Sequence, residues 1–414
     1  MTAHHKSADV KRGHNSVMTG AAHTPNVMIA GGGIAGMASA VALARVGWQA
    51  QVLEQSPVFS EVGAGVQLGP NVTRILREWG LQDALLTYAC RPHHLNARSA
   101  DSGDVLARLD LHALAQRYGA PYVSIHRAHL HRLLCDAAQT LGVQVSGGVR
   151  VQGMDAQTIH ADWAVVADGV WSQLRQSLLQ DAPVRWTGHL AYRALLSMRD
   201  LPAAVRQAVR TDDVTVWMGQ AMHLVCYPVA AGEQFNVVCL VEADLPSGED
   251  ATQNWNQQKT DADTRADLQA ALQGTCTALH ELVNAACGWR LWPLYGRSPM
   301  QGPHEHAQGR VALVGDAAHP MLPYLAQGAG MAIEDAHALA HHMPSQMDAP
   351  AIPAALQVFA QSRWPRNARV QRRAIRNGEI FHARGLMRLG RDIGLRAMGG
   401  ALMDVPWLYG YVNP

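Results

Sequence analysis

Two side chains that can carry protons, His223 and Tyr227, stand four residues apart in the apolar segment His223-Leu-Val-Cys-Tyr227. The segment has the length of a strand, and residues separated by an even number of positions share one face of a strand. A histidine on such a face can take a proton from a substrate near neutral pH. The alternative is a hydrogen-bonded structural histidine, which strands contain more often. The residues alone leave both interpretations open.

Three acidic residues follow short apolar runs that read as buried strands. Glu54 closes one run, Asp168 precedes Gly169 after a second, and Asp316 follows Gly315 after a third. In open α/β sheets, ligands bind outside the carboxyl ends of parallel strands. The pattern therefore predicts that these turns lie at one edge of one sheet and face a ligand with hydroxyl groups.

The first of these acids belongs to a predicted βαβ unit. A strand at 27–30 is followed by Gly31-Gly-Gly33-Ile34-Ala35-Gly36, a helix to about Val46, and a second strand that ends at Glu54. The three glycines of G-x-G-x-x-G allow a tight turn, a close approach of the backbone to a pyrophosphate, and close helix packing, and an acid about 20 residues further on accepts from a ribose hydroxyl. The unit predicts a dinucleotide site. A glycine-rich turn in another βαβ unit would leave Glu54 unexplained.

Three more segments could approach the same ligand. Gly63, Gly65 and Gly69 suggest backbone close to a flat group, although two turns and a helix cap would also explain them. Arg127 lies in the first turn of a predicted helix, where an anionic partner would offset the unfavourable helix dipole; the alternative is a solvated arginine. The segment 328–330 opens another helix with small residues and offers free N–H groups to an anion.

Composition excludes several classes of protein. The chain has 414 residues with 16% charged residues and a net charge of +1, which suggests neither nucleic acid nor an anionic membrane surface as a partner. The six cysteines show no metal-ligand spacing, so we predict no metal site, and reduced thiols indicate the cytoplasm. No apolar run is long enough to span a bilayer.

We expect an α/β fold with several domains. The predicted division is a flexible leader at 1–26, a dinucleotide-binding domain at 27–95, 124–180 and 290–345, an inserted and mostly antiparallel sheet domain at 96–123 and 181–289, and a helical, basic region at 346–414.

Taken together, three motifs resemble those of the class A flavoprotein monooxygenases, the single-component FAD-dependent aromatic hydroxylases. They are the unit at 31–54, the A-D-G-x-x-S-x-x-R of Ala167–Arg175, and the G-D-A-A-H-P…Q-G-A-G…E-D-A of Gly315–Ala336. The resemblance covers about residues 26–411. It implies a Rossmann-type FAD-binding domain of the p-hydroxybenzoate-hydroxylase type with an inserted substrate sheet.

The resemblance also implies roles for individual residues. Glu54 would hold the adenosine ribose, Arg127 would lie by the pyrophosphate, and Asp316 would hold the ribityl chain. NADH or NADPH would bind transiently, since only one dinucleotide fold is visible. The implied cofactor-binding residues are Gly31, Gly33, Ile34, Ala35, Gly36, Glu54, Gln55, Gly65, Val66, Arg127, Asp168, Gly169, Asp316, Pro323, Gly328, Ala329 and Gly330.

Within this family the chain is similar to the salicylate, 3-hydroxybenzoate 6- and 6-hydroxynicotinate 3-monooxygenases. In the latter two, a His-x-x-x-Tyr pair contacts the ring hydroxyl, and His223 and Tyr227 match it. The implied substrate pocket consists of Gln67, His223, Tyr227, Pro323 and Tyr324. Tyr324 and Gln67 stand where the hydroxynicotinate enzyme has histidines, and Pro323 where the 3-hydroxybenzoate enzyme has glutamine, so the resemblance does not fix the ring substrate.

The implied reaction is hydroxylation of a hydroxylated aromatic or heteroaromatic acid with NAD(P)H and O2 through a flavin C4a-hydroperoxide. His223, with Tyr227, would be the catalytic pair that draws the proton from the ring hydroxyl. The enzyme would act as a monomer or homodimer. Two other classes stay open at this point. One is a flavoprotein reductase or dehydrogenase with a non-oxygen acceptor, and the other is a nucleotide-binding regulatory protein without catalysis.

Overall fold

The computed structural model describes residues 24–58, 64–155, 158–244, 260–345 and 348–412. Most of the predicted leader and Gly63 lie outside the described residues. The leader was predicted to reach residue 26, but the first strand already begins at Asn26, whose backbone N–H donates to the Asp162 carboxylate.

The described residues form fifteen strands. They are β1 (Asn26–Ala30), β2 (Gln49–Glu54), β3 (Gly65–Leu68), β4 (His94–Ser99), β5 (Val105–Asp110), β6 (Val123–His126), β7 (Gln144–Gly147), β8 (Trp163–Val166), β9 (Arg185–Ser197), β10 (Val214–Met218), β11 (Met222–Val229), β12 (Gln234–Glu242), β13 (Arg290–Gly296), β14 (Ala307–Gln308) and β15 (Val311–Leu313).

Thirteen α-helices accompany these strands in the same part of the chain. They are α1 (Ile34–Arg45), α2 (Pro70–Glu78), α3 (Gln82–Tyr88), α4 (Leu111–Tyr118), α5 (Arg127–Thr140), α6 (Gln173–Leu179), α7 (Ala203–Val209), α8 (Asp261–Ala271), α9 (Thr277–Ala285), α10 (Gly328–His342), α11 (Ile352–Phe381), α12 (Gly385–Met398) and α13 (Pro406–Tyr409).

The first sheet has the strand order β14-β15-β8-β1-β2-β7, and its central pairs are parallel. Its central strands are apolar along their whole length because helices cover both faces, as in other parallel sheets. Small residues on α1 let this helix pack tightly between the sheet and α10. The parallel arrangement brings the carboxyl ends of β1, β2, β8 and β15 to one edge, as the sequence predicts.

The second sheet has the order β13-β9-β12-β11-β10-β4-β5 and is antiparallel except for the pair β4–β10. An α/β fold with an inserted, mostly antiparallel sheet is therefore confirmed. Two predicted boundaries are wrong in detail. β13 pairs with β9, so the second sheet extends past residue 289, and β4 joins this sheet from residue 94. The stretch 96–123, predicted as strands and loops, also contains α4, which Asp110 caps through the N–H groups of His112 and Ala113.

The last long helix, α11, ties the two sheets together. In the first half of α11, the buried Arg363 donates to the carboxylates of Asp335 (2.9 Å) and Glu334 (3.0 Å) on α10. Near its end, Asn377 donates to the backbone carbonyl of Tyr324 (3.0 Å), and the residue after the helix, His382, contacts the second sheet. The next helix, α12, has no fully buried residue. No helix in the described residues is long and apolar enough to cross a membrane.

Candidate functional site

The glycine turns at the edge of the first sheet surround a cavity of about 320 Å³. Six of the residues predicted to bind the cofactor line this cavity: Gly31, Gly33, Glu54, Gln55, Asp168 and Gly169. The Glu54 carboxylate accepts from the backbone N–H of Gly32 (2.7 Å) and of Ser56 (2.8 Å), which fixes its position at the end of β2. The structure therefore brings together the first two predicted turns.

The glycines of the first turn have distinct steric environments. A Cβ on Gly31, whose φ is +107°, would lie 2.3 Å from the Ala167 carbonyl oxygen, and a Cβ on Gly36 would lie 1.8 Å from that of Gly31. These two positions cannot hold a side chain without moving backbone. At Gly33, in contrast, nothing lies within 4 Å of an added Cβ, so the space in front of this residue is open to a ligand.

The third turn lies between the first turns of two helices. A Cβ on Gly315 would meet Ala35 of α1 at 2.7 Å and Ala332 of α10 at 3.4 Å. Neither α1 nor α10 has a side-chain cap, so the N–H groups at Ile34 and Ala35 and at 328–330 have no capping side chain. Two positive helix ends therefore converge near Asp316, as an anionic ligand would require.

Asp316 directly follows Gly315, the residue that packs between α1 and α10. Its side chain is solvent-accessible, yet so much protein surrounds it that burial raises the pKa of its carboxyl, while His319 and Arg127 act in the opposite direction. Arg127 begins α5 directly after β6, which pairs with β3 at Gly65 and Val66. The structure thus places Arg127 close enough to Asp316 for their charges to interact, as expected if both face one cofactor.

An unsatisfied polar atom also indicates a ligand here. The Asp168 Oδ1 atom is buried without a hydrogen-bond partner, and burial raises the pKa of this carboxyl. A buried acceptor without a donor is costly, and a bound hydroxyl or amide would satisfy it. Together with the uncapped helix ends and the open space at Gly33, this atom shows that the residues fit a dinucleotide such as FAD.

A second cavity, of about 600 Å³, lies between the second sheet, the turn at 323–326 and helices α11 and α12. Four of the five residues predicted for the substrate pocket line it: Gln67, His223, Pro323 and Tyr324. Most of the other lining side chains are apolar, among them Leu95, Val216 and Phe381. An apolar cavity with a few convergent polar groups is typical of a site for a small organic ligand.

Tyr227, the fifth predicted residue, lies beside this cavity and not next to His223. The two residues share a face of β11 but are four positions apart, roughly 13 Å along a strand. The Tyr227 phenol hydrogen-bonds with Gln67, and Gln67 also accepts from the Tyr122 hydroxyl at 2.6 Å. A Cβ on Gly65 would lie 2.5 Å from the Tyr227 ring, so Gly65 makes room for the phenol. The two residues share a strand face as predicted, but their side chains bond with His382 and Gln67 and not with each other, and their joint role stays a prediction.

The partner of His223 is instead His382, which the sequence analysis did not single out. His223 Nδ1 and His382 Nε2 are 2.8 Å apart, and both rings are buried. Burial and the nearby His382 and His189 hold the pKa of His223 well below its usual range, so its imidazole is neutral at pH 7. No local pattern identifies His382, because only the packing of α11 against the second sheet brings it to β11.

Tyr324 completes this end of the cavity. Its ring meets the His223 ring edge-on, with 5.1 Å between the centroids, and its hydroxyl is buried without a hydrogen-bond partner. Burial raises the pKa of this phenol, so it remains a neutral donor. The Tyr324 hydroxyl is therefore available to a polar group of a ligand.

Two groups of described residues have the spacing of metal ligands: His189, Glu242 and His382, and the buried His306, His319 and Asp335. Members of both groups already have protein partners. His382 bonds with His223 and Glu242, and Asp335 bonds with His319 and Arg363. We assign a metal to neither group.

The buried histidines predict an acid-sensitive fold. Burial lowers the pKa of His306 and of His382 from 6.5 to about 4. Below pH 6.5 the unfolded chain therefore binds protons that the folded chain does not, and the free energy of unfolding falls as the pH drops toward 4. We expect the melting temperature to decrease steadily between pH 7 and pH 5. A melting temperature independent of pH over this range would contradict the neutral state of these rings.

The structure thus combines a cavity that fits a dinucleotide, at the edge of the first sheet, with an apolar cavity walled by the second sheet, as a dinucleotide-dependent enzyme for a small organic substrate requires. The chain belongs to the family described as "FAD binding domain", whose pattern matches residues 24–374.

Curated relatives cover nearly the whole chain. The 3-hydroxybenzoate 6-hydroxylase of Polaromonas naphthalenivorans (strain CJ2) is 33% identical over 401 residues, covering 93% of this chain and 96% of the relative. The 3-amino-4-hydroxybenzoate 2-monooxygenase PtnB3 of Streptomyces platensis is 36% identical over 404 residues, covering 94% and 96%. Among solved structures, that of Klebsiella pneumoniae HpxO complexed with FAD and uric acid superimposes with a TM-score of 0.77 at 24% identity, covering 92% of this chain and 94% of that one.

The resemblance to the class A FAD-dependent aromatic monooxygenases is thereby confirmed. The protein is an enzyme of this class and FAD is its cofactor. The comparisons do not support the reductase or the regulatory protein considered above.

Proposed function

We propose that the enzyme hydroxylates a hydroxylated aromatic or heteroaromatic acid, with NADH or NADPH as reductant and O2 as the oxygen source. The observation that supports this proposal is the large apolar cavity, which is lined by one buried neutral histidine, one tyrosine with an unsatisfied hydroxyl and three arginines, of which only Arg391 has an ion-pair partner among the described residues. The bound flavin supplies the reaction with O2 after its reduction. The chain's own residues bind, orient and deprotonate the aromatic ring.

Glu54, Asp168 and Asp316 are the residues that would hold the hydroxyl groups of FAD, and Arg127 with the two helix ends would hold its phosphates. These assignments rest on the cavity lined by Glu54 and Asp168 and on the helix ends that converge at Gly315 beside Asp316. Gln55, Gly65 and Val66 would contribute backbone and side-chain contacts along it, and Pro323 with the amides at 328–330 would approach the flavin ring.

Two arginines on α11 support an acid as the substrate. Arg373 and Arg376 line the large cavity one helical turn apart, and neither forms an ion pair or hydrogen bond with the described residues. The Arg373 Nε atom is buried without a partner, and burial together with Arg376 lowers the pKa of Arg373. Two adjacent unpaired cations at an apolar cavity are unfavourable, and a carboxylate would relieve both the repulsion and the missing hydrogen bond.

We expect Arg373→Gln to weaken binding of an aromatic acid by about 10- to 150-fold, the range for one hydrogen bond to a charged group. Binding is measured through the change in flavin absorbance on titration with the acid. Arg372→Gln is the matched control, because Arg372 is exposed and does not line this cavity. Unchanged affinity in Arg373→Gln, or an equal loss in Arg372→Gln, would contradict the role of Arg373.

His223 is the base of the proposed reaction. Its Nδ1 is engaged with His382, and its Nε2 has no hydrogen-bond partner among the described residues. A ring hydroxyl placed between His223 and the Tyr324 hydroxyl could give its proton to His223 and become electron-rich, which favours attack by an electrophilic oxygen. The apolar side chains around the cavity would limit the access of water to the bound ring.

The experiment that tests this function is a panel of hydroxybenzoates and hydroxypyridine carboxylates. Each compound is scored for stimulation of NADH and NADPH oxidation, for hydroxylated product and for released H2O2. A substrate should stimulate oxidation of NADH or NADPH and give hydroxylated product in an amount equal to the reductant consumed. If no compound stimulated oxidation of the reductant, or if every compound increased only the release of H2O2, the proposed function would be wrong.

The choice between NADH and NADPH, the monomeric or homodimeric state and the cytoplasmic location stay predictions.

A further inference from the structure

The base proposed above is connected to the protein surface by a chain of titratable groups. His223 Nδ1 lies 2.8 Å from His382 Nε2, and His382 Nδ1 lies 3.2 Å from a carboxylate oxygen of Glu242. His223 is 1% exposed, whereas the Glu242 side chain is 38% exposed. The three groups thus lead from the wall of the cavity to solvent.

The carboxylate fixes the tautomer of both rings. An ionised carboxylate only accepts hydrogen bonds, so the Nδ1 atom of His382 must carry the hydrogen of the bond to Glu242. In a neutral ring the other nitrogen, Nε2, is then an acceptor, and His223 must donate to it from its own Nδ1. The Nε2 atom of His223 is left with its lone pair and has no donor in the part of the chain that the structure describes. The exposed acid therefore makes the buried histidine a base.

Electrostatics explains why the base needs such a connection. Burial keeps the pKa of His223 well below 6.5 and that of His382 at about 4, so neither ring can hold a positive charge for long. The charged or titratable groups around them are His189 on β9, Tyr324 beside the His223 ring, and Arg384, which donates to Glu242 at 2.6 Å. His189 and Arg384 disfavour a cation, and Tyr324 stays neutral. A proton that enters at His223 must leave.

We propose that His382 and Glu242 form the proton exit of the substrate cavity, passing the proton of the ring hydroxyl from His223 to solvent. This proposal rests on the proposed function of His223. The substrate O–H bond breaks as His223 Nε2–H forms, His223 Nδ1–H is given up to His382 Nε2, and His382 Nδ1–H is given up to Glu242, which releases the proton to water. The reverse transfer restores the tautomers when the ring hydroxyl of the product is reprotonated.

Replacing His382 should have different effects if this residue only holds the His223 ring and if it also passes on a proton. In His382→Gln, the amide oxygen can still accept from His223 Nδ1 and hold that ring, but the amide cannot pass a proton on. In Glu242→Gln the amide oxygen can still accept from His382. Glu379→Gln is the matched control, because Glu379 is an exposed acid of the same surface groove and bonds with neither histidine.

The test uses the FAD-loaded enzyme and 3-hydroxy-4-nitrobenzoate, a carboxylate-bearing phenol whose ionisation is visible by absorbance. In stopped-flow mixing with a pH dye, we expect ionisation and proton release to be about a hundredfold slower in His382→Gln and Glu242→Gln. The affinity for the probe, the flavin content and the Glu379→Gln rates should match the parent enzyme, and added imidazole should restore the rate of His382→Gln. Parent-like proton release in His382→Gln would overturn the relay.

A second measurement needs neither probe nor turnover. In the FAD-loaded enzyme labelled with ¹⁵N-histidine, and with peaks assigned through His223→Gln and His382→Gln, both rings should be Nδ1–H tautomers at pH 7. An Nε2–H tautomer of either ring would overturn the proposal. Neither measurement depends on formation of a hydroxylated product. If both gave the expected results while the enzyme was inactive toward the substrate panel, the proposed function would be contradicted and the relay would not.

Discussion

Replacing His223 with alanine should abolish hydroxylation while leaving a yellow, FAD-loaded enzyme. His223 lines the substrate cavity and lies on β11 of the second sheet, away from the glycine turns that would hold the cofactor. General base catalysis contributes about 100- to 10,000-fold, and a loss of this size is expected in the rate of product formation. NAD(P)H oxidation should continue at a reduced rate and yield H2O2, since the flavin is still reduced but the ring is no longer activated.

The measurement compares product, reductant consumed and H2O2 for the best substrate of the panel. Tyr227→Phe is an informative companion, because the Tyr227 phenol bonds with Gln67 and lies away from His223. It should alter substrate affinity more than the ratio of product to H2O2. Fully coupled turnover in His223→Ala would remove His223 from the mechanism.

Replacing Asp316 with alanine should weaken FAD binding and give a poorly flavinated protein. Asp316 lies where the first turns of α1 and α10 converge, and its carboxyl is held in surroundings that raise its pKa. Removing a charged acceptor of a cofactor hydroxyl costs about 10- to 150-fold in affinity, the equivalent of 1.5–3 kcal/mol. The flavin-to-protein absorbance ratio after purification, and the dissociation constant on reconstitution, measure the effect.

Asp316→Asn keeps an acceptor oxygen without the charge and should retain more flavin than the alanine variant. Asp348→Ala serves as the control, because Asp348 is an exposed aspartate ahead of α11. A fully flavinated Asp316→Ala protein with parent-like affinity would contradict the role given to Asp316.

The edge of the first sheet could be predicted from sequence because each turn is encoded locally. Gly31, Gly33 and Glu54 lie within one βαβ unit, and the spacing of the unit predicts that the carboxyl ends of its two parallel strands lie side by side. Asp168 and Asp316 follow apolar runs of the same kind, so the parallel sheet brings them to the same edge. The strand and helix bounds differ from the prediction by only one or two residues there, as helix and strand ends usually do.

The substrate cavity could be predicted only in part, because its walls come from distant segments. His223 was singled out by its spacing from Tyr227, and Pro323 and Tyr324 through the resemblance. Arg373 and Arg376 on α11, and His382 directly after it, lie in a segment that the sequence describes merely as basic. A pattern of arginines predicts a solvated face, and only the packing of α11 against both sheets turns part of that face toward the cavity. The pairing of His223 with His382 links residues 159 positions apart, and no local periodicity reports such a contact.

The position of α11 has a consequence for how a substrate reaches the flavin. Arg363 anchors the first half of this helix to α10 through two buried carboxylates, and Asn377 holds the turn at Tyr324 near the end of the helix. Moving α11 away from α10 would break these buried ion pairs and leave buried charges without partners, at a cost of several kcal/mol per ion. Among the cavity walls, α12 carries no such anchor in the protein interior. Entry past α12 would admit the aromatic substrate while the elements around the cofactor stay rigid.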